Sequence, residues 1–153
     1  MTFMEQQNLS NYVQGIGIYG HSSPAFDPSF LEWHGRTGDD GILFASFYGD
    51  KWGIVRHIDN VGIAPGTSPC VVLFNKVYVF WSRRVENETW YCNWEKSGWS
   101  PQRSVAAQIG GQGYYRGTSP TAIVQDDYNL RLFWVGSSGP DQGLWYSDHA
   151  LNP

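Results

Sequence analysis

Three places in the chain set an acidic residue beside a second polar one: Asp39-Asp40, Glu86-Asn87 and Asp141-Gln142. A tryptophan stands five to seven residues before each acid, as Trp33, Trp81 and Trp134, and Arg36, Arg83, Arg84 and Arg131 lie close by. An acid next to an amide or a second acid can accept and donate hydrogen bonds to adjacent hydroxyl groups. Guanidinium groups add charge-assisted donors, and an indole can cover the apolar C–H side of a sugar ring. The pattern points to hydroxyl-rich ligands. The same residues also build structure: Asp and Asn are turn formers, and recurring tryptophans are core residues more often than platforms.

Other chemistries find little support. His21, His34, His57 and His149 show no metal-ligand spacing, and Asp39-Asp40 lacks the acidic ladder of a calcium loop. No metal or cofactor is expected. A glycosidase needs two carboxylates about 5–9.5 Å apart across one cleft, whereas these acids are spread over separate repeats. No Gly-x-Ser-x-Gly, Cys/His pair or phosphate loop occurs. The expectation is a binding protein and not an enzyme.

The elements that must carry these loops repeat. Gly66-Thr67-Ser68-Pro69 returns as Gly117-Thr118-Ser119-Pro120, and Ser22-Ser23-Pro24 opens a weaker copy. Pro24, Pro69 and Pro120 stand 45 and 51 residues apart. In the middle copy, Val71–Phe74, Val77–Trp81 and Thr89–Trp94 read as strands rich in aromatic and β-branched residues, divided by turn residues. Gln102–Ala106 reads as a fourth, looser strand, and no segment has helical periodicity. Four short strands per repeat of this length is blade arithmetic, so the fold class is all-β, a β-propeller of three four-stranded repeats. Residues 1–153 form one domain, with repeats at about 23–66, 68–117 and 119–149.

The third copy lacks a fourth strand, and the N-terminus offers one. Phe3 precedes Pro24 by the same 21 residues that separate Trp99 from Pro120. Residues 3–13 therefore read as a closing strand. Three blades cannot close a ring, so the expectation is a homodimer of six blades, each N-terminal strand completing the partner's last blade. The runner-up is a piece of a longer propeller.

The segments Gly38–Trp52 and Gly139–Asp148 resemble the repeats of sugar-binding and sialidase-like β-propellers of bacteria and fungi, and Thr89–Trp99 is similar to the blade hairpin of the fungal fucose lectins. The resemblance covers nearly the whole chain as a pattern, and it implies a propeller that binds sugars between blades. Short bacterial relatives of those lectins assemble six blades from small chains. Their sugar is clamped by a second-strand Arg, for which Arg131 is the counterpart, and a third-strand Glu, whose place holds Trp90 and Trp145 here. The sialidase Asp box survives only in outline, with Tyr48 and Glu95 in place of its Asp.

Together these readings give a multivalent lectin with weak sites at Trp33, Arg36, Asp39, Asp40, Trp81, Arg84, Glu86, Asn87, Arg131, Trp134, Asp141 and Gln142, binding glycans or glycoproteins. A propeller scaffold for protein or toxin assembly is the alternative, and a glycosidase comes third. The formal charge of −4 gives no basic footprint for nucleic acid, and no apolar run is long enough to span a membrane. No secretory signal is visible in the first residues, so the cytoplasm, or secretion without a signal peptide, is expected. Cys70 and Cys92 occupy small-residue positions on the first and third strands of one repeat. Strands two apart lie roughly 9–10 Å from each other, too far for a disulfide, so both read as free, buried thiols.

Overall fold

The computed structural model describes residues 25–27, 30–35, 40–109, 114, 116–136 and 143–150. The expected closing strand 3–13, the opening phrase Ser22-Ser23-Pro24, and the side chain of Trp33 lie outside that set, as do Arg36, Asp39, Asp141 and Gln142.

The described chain forms three antiparallel sheets that follow one another along the sequence. Sheet 1 runs β1 (Ala25–Asp27), β2 (Phe30–His34), β3 (Ile42–Ser46) and β4 (Arg56–Ile58) in order. Sheet 2 is built from β5 (Cys70–Phe74), β6 (Lys76–Ser82), β7 (Thr89–Glu95) and β8 (Gly98–Trp99), with β9 (Arg103–Ser104) also paired to β7. Sheet 3 contains β10 (Thr121–Val124), β11 (Asn129–Val135) and β12 (Leu144–Ala150). The strand-forming residues are Val, Ile, Leu and aromatics, which fit a pleated, half-buried surface. None of the sheets closes into a barrel, and no described helix is long and apolar enough to cross a membrane.

Turn chemistry sets the register. Asn75 adopts a left-handed φ of 49° in the tight β5–β6 connection, so that Phe74 faces Lys76 and Val72 faces Tyr78. Asn tolerates that region better than most residues. Gly66 and Gly117, the first residues of the two Gly-Thr-Ser-Pro phrases, have φ of 76° and 79°. A Cβ at either would meet nothing within 4 Å, so glycine is required there by backbone conformation and not by space.

Alternation along the strands then builds two cores. Val77, Val79 and Trp81 of β6, with Cys92 of β7, pack against Ile42 and Phe44 of β3 and against Ile58, Val61 and Ile63. The opposite face of the same strands presents Tyr78, Phe80 and Tyr91 to Leu130, Leu132 and Trp134 of β11. Sheet 2 is thus sandwiched between sheets 1 and 3. Its large side chains on both faces each contribute about 1.5–3 kcal/mol by leaving water. The first strands of the repeats run beside one another, β1 next to β5 and β5 next to β10. Bonds between repeats fix this: the Ser68 amide donates to Ser119 Oγ at 2.8 Å, and the Ala122 amide to Cys70 Sγ at 3.2 Å.

Two local expectations change. The looser fourth strand is only β9, and a four-residue helix, α1 (Ala106–Ile109), follows it where no helix was predicted. The Ala107 amide donates to Ser104 Oγ at 3.1 Å, and the Gln108 and Ile109 amides donate to the Val105 carbonyl. A serine cap of this kind starts a turn too short for periodicity to reveal. Both cysteines are free thiols, Cys92 buried and Cys70 half-buried, on strands separated by β6.

Candidate functional site

The polar loop between β6 and β7 is a closed turn. The Arg83 amide donates to the Glu88 carbonyl at 2.9 Å, and Asn87 takes a left-handed φ of 52°. Arg83 Nε lies 3.2 Å from Glu86 Oε2, and its guanidinium stacks 4.0 Å over the Trp90 ring. Asp40, from the loop entering β3, forms an ion pair with Arg84 and so ties the first and second repeats together. Asn87 Oδ1 accepts from Arg116 Nε at 3.2 Å, and its carbonyl accepts from the Tyr114 amide. Arg84, Asn87, Tyr114 and Arg116 line a small cleft of about 200 Å³ with Ala64 and Pro65. The structure brings Asp40, Arg84, Glu86 and Asn87 to one end of the sheets, with much of their polar capacity already engaged: Asp40 with Arg84, Glu86 with Arg83 and Asn87 with Arg116.

The remaining predicted residues divide differently. Arg131 makes a two-pronged contact with Asp148, 2.7 and 2.9 Å, and its guanidinium lies 4.3 Å from the Tyr146 ring centre. Those two bonds hold the Asp148 carboxyl below the ordinary range and raise Arg131 further. The pair lies on the outer face of sheet 3, remote in register from the loop.

Trp81 and Trp134 require a correction. Trp81 has no exposed surface and Trp134 is 4% exposed, each packed in one of the inter-sheet cores. Neither offers an indole face to a ligand from solvent. The alternation of β6 and β11 directs them into the preceding sheet, as it directs Val79 and Leu132.

A cleft that the loop pattern does not reveal lies at the outer end of the seam between sheets 1 and 2. Trp99 stands edge-on to Phe44 at 5.5 Å and to Trp94 at 5.2 Å, and both indoles are only half-buried. Trp99 therefore contributes to a surface. Arg56, His57, Asn60 and Gln102 complete the cleft, which encloses about 510 Å³. Gln102 Nε2 donates to the Asp59 carbonyl at 2.8 Å, and its side-chain oxygen remains an acceptor. The signal available in the sequence was the Trp94–Trp99 pair about the Gly98 turn, which reads equally well as core.

Among the described residues no three His, Cys, Asp or Glu side chains gather as metal ligands. No protein-family model matches this chain, and a search of curated proteins finds no significant match.

Proposed function

We propose that this chain is a non-catalytic carbohydrate-binding protein that acts as part of a β-propeller. The observation that carries the reading is the Trp94–Trp99 cleft, where partly buried indoles stand beside Arg56, His57, Asn60 and Gln102. Such a surface matches the two sides of a pyranose, apolar C–H patches on one and hydroxyls at the edge. The smaller cleft at Arg84, Asn87 and Arg116 is a secondary polar contact for the same kind of ligand. Single shallow clefts bind weakly, and display of several on one particle supplies avidity.

The stacking order supports a propeller completed by a second chain. Phe44 of sheet 1 faces sheet 2, and Phe80 with Tyr91 of sheet 2 faces sheet 3. Phe133 and Tyr146 are the same cross-strand pair in sheet 3, yet Tyr146 and nearby Leu144 are 58% and 72% exposed. A further sheet laid on that face would continue the series, and two chains of three sheets would give six blades.

A multivalent glycan array tests the function. Binding to a restricted set of glycans, lost in Trp99→Ala and weakened in Gln102→Ala, is the expected result. No binding to any displayed glycan by a folded chain would sink the lectin reading and favour the protein-interaction scaffold. For assembly, light scattering should give about twice the 17.3 kDa chain mass. Tyr146→Lys should return the monomer.

A further inference from the structure

The seams between the sheets are equivalent in register but not in filling. Phe44, paired with Glu32, corresponds to Tyr91, paired with Phe80. Trp90, Cys92 and Trp94 of β7 correspond to Trp145, Ser147 and His149 of β12. Between sheets 1 and 2, Phe44 is met by two indoles, Trp94 at 5.9 Å and Trp99 at 5.5 Å. Between sheets 2 and 3, Tyr91 takes the place of Phe44 and His149 that of Trp94.

A cavity of about 230 Å³ lies at that point. Tyr78, Phe80 and Tyr91 form one wall, Leu130 and Leu132 the other, and Ser147 with His149 stands at the rim. The space is smaller than the roughly 300–1,000 Å³ of sites for drug-sized ligands, and suits a single ring system. Polar residues also line it. Gln108 Nε2 donates to the Tyr91 hydroxyl at 2.8 Å, so that hydroxyl keeps its own proton to donate and the Gln108 carbonyl remains an acceptor. The Asp148 carboxylate beside the rim is engaged by Arg131, and burial raises the Tyr78 phenol, so the wall carries no free anion at neutral pH.

We propose that this cavity is a binding site for one uncharged planar aromatic ring with a hydrogen-bonding group at its edge, of the indole or phenol class. The ring takes the position that Trp99 holds in the neighbouring seam, edge-on to Tyr91 as Trp99 is to Phe44, and its polar edge meets Tyr91, Gln108 and Ser147. Quadrupole attraction favours that edge-to-face arrangement over face-to-face stacking. The site is separate from the sugar cleft and does not depend on it.

Titration of the full chain with indole and with phenol, followed through the methyl resonances of Leu130 and Leu132, tests the proposal. Saturable shifts at both leucines are expected. They should be abolished in Ser147→Phe, which fills the rim, and weakened in Gln108→Ala, an exposed substitution that spares the walls. Methyls unmoved by millimolar indole in the wild-type chain would overturn the proposal, as would undiminished shifts in a folded Ser147→Phe variant. Phe3, the sequence counterpart of Trp99, supplies the decisive comparison. Shifts that appear only in Phe3→Ala would assign the cavity to that residue, from this chain or a second copy, and refute a ligand site.

Discussion

The amide of Ser68 donates to the hydroxyl of Ser119 at 2.8 Å, and the two serines are the same residue of successive Gly-Thr-Ser-Pro phrases. The repeat therefore contacts itself. The phrase that opens one sheet is a hydrogen-bond partner of the phrase that opens the next, and Ser82 Oγ donates to the Thr118 carbonyl at 2.9 Å beside it. Ser119→Ala should remove one solvent-accessible bond between repeats at a cost of about 0.5–1 kcal/mol in urea unfolding. An unchanged midpoint would mean that water replaces the hydroxyl fully.

The glycines of the same phrase make a sharper test. Gly66→Ala and Gly117→Ala each force a Cβ into the left-handed region and should destabilise by about 1–2 kcal/mol. Gly98 has no such backbone and equally open space around it, so Gly98→Ala is the control and should change stability by roughly 0.5 kcal/mol or less. Equal effects at all three sites would contradict the conformational account.

Trp81 distinguishes core from platform. Trp81→Ala should cost about 3–5 kcal/mol, because the indole fills the core between sheets 1 and 2. Trp99→Ala, at the half-exposed cleft, should lose much less stability and more binding. Calorimetry and the glycan array read the two quantities separately, and the opposite ranking would restore Trp81 as a ligand contact.

The thiols predict behaviour at alkaline pH. Burial, reinforced by the charge of Glu32, raises the Cys92 thiol far above its ordinary 9.0, and burial raises Cys70 as well. Both folded-state values exceed the unfolded ones, so their contribution to stability is full below pH 9.0 and declines as the pH rises past it. In the native chain Cys92 should not react with an aromatic disulfide reagent and Cys70 should react slowly. Both should react at once in denaturant.

The Arg131–Asp148 pair works at the other end of the scale. Hydrogen bonds from Arg131 lower the Asp148 carboxyl beneath its ordinary 3.8, so what the pair contributes is present above that pH and lost as the pH falls through the depressed value. Carboxyl-carbon NMR should place the Asp148 midpoint low in the wild-type chain and nearer ordinary in Arg131→Gln. Identical midpoints would show that the contact is not maintained in solution.

The sequence by itself determined most of the strands, their faces and their turns, though not the short helix α1 that replaces part of the expected fourth strand. A two-residue period sends Trp90, Cys92 and Trp94 one way and Tyr91 the other whatever the partners are. Asn75 and the two phrase glycines mark their turns by backbone preference alone. Spacing between Cys70 and Cys92 was enough to keep them unbridged. The site was far less legible. Composition placed acids, amides and arginines near one another, but only the packing of one sheet on the next joined Asp40 to Arg84 and Arg116 to Asn87. Whether an indole is core or surface depends on what lies opposite it, a fact held by another repeat. Trp81 meets sheet 1 and disappears, while Trp94 and Trp99 stand at the seam's outer end and stay partly exposed. The cavity beside Tyr91 exists because of a relation between two sheets, and no local pattern in either strand encodes a space left between them.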